Sequence, residues 1–303
     1  MGGITFDPAK DVPDLAGKVI FITGGTSGLG AESLSQIAVH NPAHIYFTGR
    51  NASSATSTIS SLKTLAPNTG LTFIPMDQSS LASVKTAITA NFTHSRLDVL
   101  LCNAGIMNKP PGQTTDGYEL QFGTNHMSHA LLIKLLLPTL LKTAELPGSD
   151  VRIIILTSQG MKMGSLNNLN ALRTPGKSMF PGGQMMRYGN SKLANLMYAK
   201  QLSILYPQLT CLSIHPGVVK TGLVAEQGYL HKAIIYASQL GSLLEPEQGA
   251  WNQVWASVGD VKGVENGGYY EPVGKGGLDG GRCANVKLAG ELWDWTQKEL
   301  EGW

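Results

Sequence analysis

Charged side chains are scarce in this chain, making up 15% of its 303 residues against about 25% in an average soluble domain. The 23 basic and 21 acidic residues nearly cancel, which gives a net charge of +2, and no five like charges follow one another. Proteins that bind nucleic acids or anionic membranes electrostatically carry a concentrated basic surface. The composition therefore excludes nucleic acid and anionic membranes as partners recognised by charge.

Cysteine is also rare. The chain contains three cysteines that are well separated in the sequence, and no pair of them has the C-x-x-C spacing. An odd number of cysteines without that spacing predicts neither a disulfide framework nor a zinc site. We therefore expect no bound metal and a reducing, cytoplasmic compartment. The cysteines are Cys102, Cys211 and Cys283.

Long uninterrupted hydrophobic runs are missing as well. The most apolar stretch, residues 130–141, is interrupted by Lys134 and Pro138 and is shorter than the ~20 residues of a membrane-spanning helix. Residues 1–15 contain aspartates and no apolar segment of the kind found in secretory signals. We expect neither a membrane span nor secretion.

Apolar segments with strand character alternate with helical segments along most of the chain. The predicted strands are 18–23, 44–48, 71–75, 97–102, 151–156, 209–214 and 268–272. The predicted helices are 31–39, 53–66, 81–92, 118–142 with a kink at Pro138, 188–205, 246–257 and 288–300, and 263–281 is otherwise a glycine-rich loop. Such alternation indicates a parallel sheet covered by helices on both faces. Residues 1–303 are predicted to form a single α/β domain with a Rossmann-type, doubly wound sheet of about seven strands.

A glycine-rich segment, Thr23-Gly-Gly-Thr-Ser-Gly-Leu-Gly30, follows the first predicted strand and leads into a helix. Glycine lets the backbone approach a pyrophosphate closely, and the start of a helix presents unpaired N–H groups to an anion. A glycine-rich loop alone is weak support for a ligand, but this position in the fold strengthens it. The segment therefore predicts a dinucleotide-binding loop.

Further motifs follow this loop in a fixed order. They are Asn103-Ala104-Gly105 after the fourth strand, Asn125 in the long helix, Ser158 after the fifth strand, Tyr188-Gly-Asn-Ser-Lys192, and Pro216-Gly217 after the sixth strand. Together with the T-G-x-x-x-G-x-G loop, they resemble the short-chain dehydrogenase/reductase family. The segments 125–127 and 188–195 are most similar to its retinol-dehydrogenase-like branch, and segments 267–275 and 292–296 to NADP-dependent reductases of filamentous fungi.

Four of these residues are candidates for catalysis. On a helix, Tyr188 and Lys192 share a face, and a nearby ammonium lowers the pKa of a tyrosine from its usual ~10. Tyr188 is then expected to exchange a proton with the reacting oxygen, which Ser158 holds in place. The resemblance implies that Lys192 also hydrogen-bonds the nicotinamide ribose, and that Asn125 binds a water linking Lys192 to solvent.

The residues after the second strand bear on the choice of cofactor. NAD-dependent relatives carry an aspartate there, whereas this chain has Gly49 followed by Arg50. A guanidinium binds the 2′-phosphate that a carboxylate repels, so we expect NADP(H) rather than NAD(H), although Ser27 stands where some NADP-dependent relatives carry a basic residue. The resemblance implies that Asp77 hydrogen-bonds the adenine; its alternative role is to cap the next helix. The full predicted cofactor set is Gly24, Thr26, Ser27, Gly28, Leu29, Gly30, Arg50, Asn51, Asp77, Asn103, Ala104, Gly105, Tyr188, Lys192, Pro216, Gly217, Val219 and Thr221.

Two segments are predicted to form the substrate side. Ser158 and Tyr188 are farther apart than is usual in the family, and the insert between them, 159–187, contains Met161, Met163, Met179, Met185 and Met186. Methionine adapts its shape to apolar ligands; the alternative is that these residues only pack the insert onto the body. The resemblance implies that 218–245 forms a flap lined by Leu223, Val224, Tyr229, Leu230 and Ile234. Both segments predict a bulky lipophilic substrate.

The sequence thus predicts an NADP(H)-dependent oxidoreductase that transfers a hydride between nicotinamide and a lipophilic ketone, aldehyde or secondary alcohol. One alternative is an NAD-dependent alcohol dehydrogenase with the same site, against which Arg50 counts. Another is a non-redox cyclase or nucleotide-binding module on the same fold, against which the four candidate catalytic residues count. The substrate, the physiological direction and the oligomeric state, including a homo-oligomer, stay open.

Overall fold

The computed structural model describes residues 3–174, 183–220 and 243–303 and places eight strands in one sheet. The strands are β1 (Val19–Ile22), β2 (His44–Gly49), β3 (Gly70–Pro75), β4 (Val99–Cys102), β5 (Arg152–Leu156), β6 (Thr210–Ile214), β7 (Tyr269–Glu271) and β8 (Lys275–Gly276). Their order in the sheet is β3-β2-β1-β4-β5-β6-β7-β8. All neighbours from β3 to β7 are parallel, and β8 pairs antiparallel with β7. The predicted doubly wound sheet is confirmed.

Helices cover this sheet. They are α1 (Pro8–Asp11), α2 (Gly28–Ala38), α3 (Ala52–Leu65), α4 (Leu81–Asn91), α5 (Leu120–Phe122), α6 (Ser128–Ala144), α7 (Gly183–Leu205), α8 (Pro246–Val258) and α9 (Val286–Glu299). A π-helical turn, Gly123–Met127, joins α5 to α6, and 3-10 turns lie at Gln159–Met163, Leu169–Arg173 and Arg282–Ala284.

Two segments differ from the sequence prediction. The stretch 263–281, predicted to be a loop beyond residue 272, also contains β8, and its chain reverses through Gly274 with a φ of 67°. A two-residue strand is too short to show the alternating hydrophobic pattern from which strands are predicted. The helix predicted over 118–142 consists of α5, the π-turn and α6, and α6 continues past Pro138 to Ala144.

The two faces of the sheet bury separate apolar clusters because successive strand residues point in opposite directions. On β1, Phe21 packs into the cluster that includes α4, α6, α7 and α9. Its neighbours Ile20 and Ile22 pack into the cluster that includes α2, α3 and α8. All three side chains are completely buried, so helices do lie on both faces.

The strand order also determines where a ligand can bind. From β1 the chain first builds outward through β2 and β3, and then crosses back to β4 on the other side of β1. The loops after β1 and β4 therefore diverge, which opens a crevice at the carboxyl ends of these strands. The motif residues identified above follow these strands.

One helical stretch, Leu120–Ala144, is long and apolar enough to cross a membrane by length and composition. Its apolar side chains instead pack against the sheet, as those of Leu131, Leu132, Leu136 and Leu140 are buried in the core cluster. We therefore interpret it as a core helix.

The C-terminal helix α9 packs against α7, and its end contacts α6. The Trp293 ring stacks on Tyr198 of α7 with the ring centroids 4.9 Å apart. Lys134 of α6 donates a hydrogen bond from Nζ to the carbonyl oxygen of Leu300 at 2.6 Å. The last helix is therefore part of the core and packs against α6 and against α7, which carries Tyr188 and Lys192.

A buried carboxylate joins the amino-terminal ends of β1 and β4. Asp98 is fully buried and accepts hydrogen bonds from Arg96 at 2.7 and 2.8 Å, from the Val19 backbone N at 2.9 Å and from Lys18 Nζ at 3.0 Å. Burial opposes ionisation, but these donors outweigh it and hold the pKa of Asp98 below its usual value. The carboxylate is therefore ionised at neutral pH, and the charges of Lys18 and Arg96 compensate its negative charge.

We expect Asp98→Ala to lower the free energy of unfolding by about 3 kcal/mol, because it leaves buried donors without their acceptor. Urea denaturation measures this change. Glu291→Ala is the control, since the 3.8 Å pair of Glu291 with Lys287 is exposed, and such pairs contribute little. Equal losses in the two variants would contradict the assigned role of Asp98.

Candidate active site

The glycine-rich loop turns sharply from β1 into α2. Gly24 and Gly28 have positive φ angles of 70° and 54°, which favour glycine. A Cβ atom on Gly30 would lie 2.2 Å from the carbonyl oxygen of Gly24, so a side chain does not fit there. Within the described residues, no side chain hydrogen bond caps α2 at its N-cap, Ser27. The first N–H groups of α2 can therefore bind an anion.

The residues after β2 face this loop. A Cβ atom on Gly49 would lie 2.6 Å from Thr26 Oγ1, so Thr26 occupies the space that a side chain at position 49 needs. Arg50 is exposed and lines the same cavity. Asn51 caps α3, since its Oδ1 accepts a hydrogen bond from Ser54 N at 3.0 Å.

Asp77 lies in the turn between β3 and α4. Its Oδ1 accepts hydrogen bonds from the backbone N and the hydroxyl of Ser79, at 2.9 and 2.8 Å. The N-cap of α4 is Ser80, which accepts from Ser83 N at 3.2 Å. The alternative reading of Asp77 as the cap of this helix is therefore wrong, because Asp77 orders the preceding turn and lines the cavity.

The loop after β4 is hydrogen-bonded to the end of β1. Asn103 Nδ2 donates to the Thr23 carbonyl oxygen at 2.8 Å, and Ala104 N donates to Thr23 Oγ1 at 2.9 Å. A Cβ atom on Gly105 would lie 3.1 Å from Asn125 Oδ1 and 3.5 Å from Lys192 Nζ. The glycine therefore lets this loop pass close to two of the candidate catalytic residues.

Asn125 lies in the π-turn and is fully buried. Its Oδ1 accepts from Ile106 N at 2.8 Å, while Nδ2 donates to the Ile106 carbonyl oxygen and to Ser191 Oγ, both at 2.9 Å. Both amide hydrogens are therefore used, and one lone pair of Oδ1 is left for further contacts. The side chain of Asn125 holds the β4 loop against α7.

Ser158 and Tyr188 meet at the carboxyl end of β5. The side chain of Ser158 hydrogen-bonds Tyr188, and Ser158 Oγ also accepts from Gly160 N at 3.1 Å. Tyr188 is only 6% exposed. Burial raises the pKa of Tyr188 to about 12, and the hydrogen bond with Ser158 opposes this rise with a smaller effect.

Lys192 lies beneath this tyrosine, with Nζ 5.7 Å from the centroid of the Tyr188 ring. Burial lowers the pKa of Lys192 to about 8. The expectation that the Lys192 ammonium brings the pKa of Tyr188 below its usual value is wrong when only the residues of the protein itself act on the tyrosine. The physical reason is that desolvation disfavours the tyrosinate more strongly than its polar neighbours favour it.

Three hydrogen bonds attach α7 to the end of β5. The Leu156 carbonyl oxygen accepts from Lys192 Nζ at 3.0 Å and from Asn195 Nδ2 at 2.9 Å. Thr157 Oγ1 donates to the Lys192 carbonyl oxygen at 2.6 Å. Because Ser158 follows directly on this strand, these bonds bring it opposite Tyr188.

A cavity of about 790 Å³ is bordered by these loops. Of the predicted residues, its described lining contains Gly24, Thr26, Ser27, Gly28, Leu29, Gly30, Arg50, Asn51, Asp77, Asn103, Ala104, Gly105, Tyr188, Lys192 and Pro216. The sequence analysis missed Gly49, Ser54, Met76, Gln78, Ser79, Ile106, Lys109, Leu120, Thr124, Leu156 and Thr157 as lining residues. Most of these residues are close in the sequence to a predicted residue, and that proximity is the signal that could have identified them. Lys109 and Leu120 follow the Asn103-Ala104-Gly105 motif, in a segment whose path the spacing of the motifs does not predict.

The remaining predicted residues lie beside the cavity or outside the described part of the chain. Gly217 has a φ of 86°, and Val219 is buried and packs on Gly249, where a Cβ atom would lie 2.5 Å from its methyl groups. Thr221 lies outside the described residues. So do the predicted flap residues Leu223, Val224, Tyr229, Leu230 and Ile234.

The start of the insert packs directly on α7. A Cβ atom on Gly164 would lie 2.4 Å from the Gly189 carbonyl oxygen, and one on Gly160 would lie 3.1 Å from the Tyr188 ring. Among the insert methionines, Met161 is fully buried in the core, and Met163 and Met186 expose 51% and 50% of their surface. Met161 therefore packs the insert onto the body, whereas Met179 lies outside the described residues.

Comparison with known proteins agrees with this architecture. The family model described as short chain dehydrogenase matches residues 18–169. A short-chain dehydrogenase/reductase of Aspergillus calidoustus, drtF, is 30% identical, with 95% of each chain covered. An uncharacterised protein of Mycobacterium paratuberculosis has a similar structure, with 26% identity, a TM-score of 0.72, and 98% of this chain and 97% of that chain covered.

A second solved structure bears on the cofactor. A blue fluorescent protein from a metagenomic library, in complex with NADPH, is 26% identical, with a TM-score of 0.66 and coverage of 86% of this chain and 98% of that chain. The fold and the grouped motif residues thus define a nicotinamide-dependent oxidoreductase fold. The chain belongs to the short-chain dehydrogenase/reductase family.

Three buried histidines should make the stability of this fold depend on pH. Burial lowers the pKa of His126 to about 3 and the pKa values of His129 and His215 to about 4, below the ~6.5 of an unfolded chain. The unfolded state therefore binds more protons as the pH falls below about 6.5. We expect the free energy of unfolding to fall by roughly 2 kcal/mol for each histidine between pH 7 and pH 5.

Guanidinium denaturation at the two pH values measures this fall. His126→Gln removes one titrating group and should make the fall smaller by roughly 2 kcal/mol. A wild-type protein with the same free energy of unfolding at pH 7 and pH 5 would contradict the expectation.

Proposed function

We propose that this protein is an NADP(H)-dependent oxidoreductase that transfers a hydride between the nicotinamide and a lipophilic ketone, aldehyde or secondary alcohol. The observation that carries the proposal is that Tyr188, with Ser158 beside it, and Lys192 line the same cavity as the glycine-rich loop and Arg50. These residues combine a proton donor, its hydrogen-bond partner and a cation with a phosphate-binding loop.

The residues present fit NADP(H). The uncapped start of α2 and the tight glycine turn would hold the pyrophosphate, Asp77 the adenine, and Lys192 the nicotinamide ribose. Arg50 would bind the 2′-phosphate with charge-assisted hydrogen bonds. When bound, the cofactor would supply or accept the hydride.

The contact between Gly49 and Thr26 favours NADP(H) over NAD(H). An aspartate at position 49 would be the usual partner of both ribose hydroxyls, but any Cβ atom there meets Thr26 Oγ1 at 2.6 Å. The chain has a cation instead at the next position, Arg50, which is exposed at the cavity. A guanidinium is suited to a phosphate and has no preference for an uncharged ribose.

Arg50→Ala should weaken NADPH binding about 10–150-fold and leave NADH binding nearly unchanged, because charge-assisted hydrogen bonds of ~1.5–3 kcal/mol are lost only with the phosphate. Fluorescence titration of both cofactors measures the effect. The matched control is Lys63→Ala, which removes an exposed cation on α3 away from the cavity lining. Equal losses for NADPH and NADH would remove the basis for an NADP(H) preference.

Proton transfer is assigned to Tyr188. With its pKa raised to about 12 by burial, the phenol is protonated at neutral pH and is ready to donate to a carbonyl oxygen. Ser158, which hydrogen-bonds Tyr188, is placed to hold that oxygen as negative charge develops on it. In the oxidative direction Tyr188 would first have to lose its proton, and the tyrosinate, stabilised by the charge of Lys192, would then accept the proton of the alcohol.

Lys192 supports this step electrostatically. Its pKa of about 8 keeps most of the ammonium charged at pH 7, and a positive charge near the ring stabilises the tyrosinate formed when the proton leaves. The hydrogen bond from Nζ to the Leu156 carbonyl oxygen holds the ammonium in this position. Asn125 fixes the adjoining loop through both polar groups of Ile106.

Tyr188→Phe should reduce turnover ~10²–10⁴-fold, because it removes the positioned acid, while cofactor binding persists. NADPH consumption followed with a panel of ketones and aldehydes measures turnover. Tyr198→Phe is the matched control on the same helix; its hydroxyl contacts Gln297 rather than the cavity. A Tyr188→Phe enzyme that keeps more than a tenth of wild-type turnover, with chemistry rate-limiting, would overturn the assignment.

The same panel distinguishes the alternatives. Faster turnover with NADH would favour an NAD-dependent alcohol dehydrogenase, and tight NADPH binding without any turnover would favour a non-redox enzyme or a nucleotide-binding module. We further propose that residues 1–303 act as a single domain in the cytoplasm. The insert 159–187 and the flap 218–245 are proposed to receive the lipophilic substrate, which the half-exposed Met163 and Met186 support.

A further inference from the structure

His129 is a buried polar residue outside the proposed catalytic group. It lies in the first turn of α6, directly after the π-turn, and is 2% exposed. Its Nδ1 is 2.9 Å from the carbonyl oxygen of Asn125. Its Nε2 is 2.9 Å from Thr23 Oγ1 and 2.9 Å from Gln78 Nε2. One imidazole thus contacts the end of β1, the turn after β3 and the π-turn.

The partners determine the tautomer of this ring. A carbonyl oxygen only accepts hydrogen bonds, so Nδ1 of His129 carries the proton and donates to Asn125. Nε2 is then the acceptor, and its one lone pair is shared between the Thr23 hydroxyl and the Gln78 amide. Thr23 Oγ1 in turn accepts from Ala104 N at 2.9 Å. The bonds therefore run in one direction from the β4 loop through Thr23 to His129.

These contacts connect two parts of the site that are distant in sequence. Gln78 and Ala104 line the cavity, and Thr23 begins the glycine-rich loop. Asn125 belongs to the π-turn and holds Ile106 and Ser191. A change in the imidazole would therefore act on the cofactor side through Nε2 and on the Asn125 side through Nδ1.

We propose that His129 is a positioning residue that joins the cofactor-binding edge of the sheet to the turn carrying Asn125. This inference rests on the proposed function, since it assigns the cavity to NADP(H). The role requires a neutral ring, because a protonated Nε2 cannot accept. Burial, with a smaller contribution from the charge of Lys192, lowers the pKa of His129 to about 4, so the ring is neutral at pH 7.

Two substitutions separate the two sides of the imidazole. An asparagine amide reaches about as far as Nδ1, so His129→Asn keeps the donor to Asn125 and loses the acceptor for Thr23 and Gln78. A glutamine amide reaches about as far as Nε2, so His129→Gln keeps that acceptor and loses the donor. His126→Gln is the matched control, because His126 is an equally buried histidine of the π-turn that contacts Thr296 instead of the cofactor edge.

The experiment measures the NADPH dissociation constant by fluorescence titration and the turnover number at saturating NADPH with the fastest ketone of the panel. We expect His129→Asn to weaken NADPH binding roughly tenfold, as for one to two lost hydrogen bonds, with a smaller loss of turnover. His129→Gln should retain NADPH affinity and lose turnover roughly tenfold. His126→Gln should lower the melting temperature and leave NADPH affinity unchanged.

The inference is overturned if His129→Asn and His129→Gln change the two quantities in the same ratio, or change neither. If the His129 variants do not fold, Thr23→Val and Thr23→Ser replace them. Thr23→Val, which loses the hydroxyl, should weaken NADPH binding, whereas Thr23→Ser, which keeps it, should not. Equal NADPH affinities of these two variants would overturn the inference. If the wild-type protein binds and turns over NADPH, and the variants match it in both quantities, only this inference is rejected. A wild-type protein that binds neither cofactor would reject the proposed function with it.

Discussion

The candidate site depends on how helix α7 is attached to strand β5. The Leu156 carbonyl oxygen accepts hydrogen bonds from Lys192 and Asn195, and the Thr157 hydroxyl donates back to the helix. Strand and helix come from distant parts of the sequence, yet these bonds place Ser158 against Tyr188 in a region from which water is largely excluded. A hydrogen bond is worth more where water does not compete for its partners, so the same burial that stabilises the joint also determines the chemistry beside it.

Burial has opposite effects on the two titrating groups of the site. It raises the pKa of Tyr188 to about 12 and lowers the pKa of Lys192 to about 8, because it penalises the charged form of each. The two pKa values, which are nearly equal in the free side chains, therefore lie about four units apart, and the phenol now holds its proton more firmly than the ammonium does. In the protein alone, Tyr188 therefore keeps its proton at neutral pH.

Most of the fold could be predicted from local sequence patterns. Contacts between residues that are distant in the sequence could not be predicted in this way. Strand β5 was predicted over 151–156 because a run of mostly apolar residues is a local signal, and the strand spans Arg152–Leu156. Strand β8 has no such signal. Motif spacing likewise located Tyr188 and Lys192, but it contains no information on desolvation, which reverses the expected shift of the Tyr188 pKa. The contact of Gly49 with Thr26 and the bonds of His129 join separate loops, so only the structure reveals them.

The close packing of the insert on α7 limits which residues of the insert can be exchanged without disturbing Tyr188. Gly160, Gly164 and Gly189 bring two backbones together at distances that leave no room for a methyl group at Gly164 or Gly189. These positions form a fixed anchor beside Tyr188. Exchanging Gly164 or Gly189 would therefore shift the backbone beside Tyr188, and Leu166 and Leu172, which follow in the insert, are buried in the core cluster as well. Any redesign of this region therefore has to keep these glycines and both leucines.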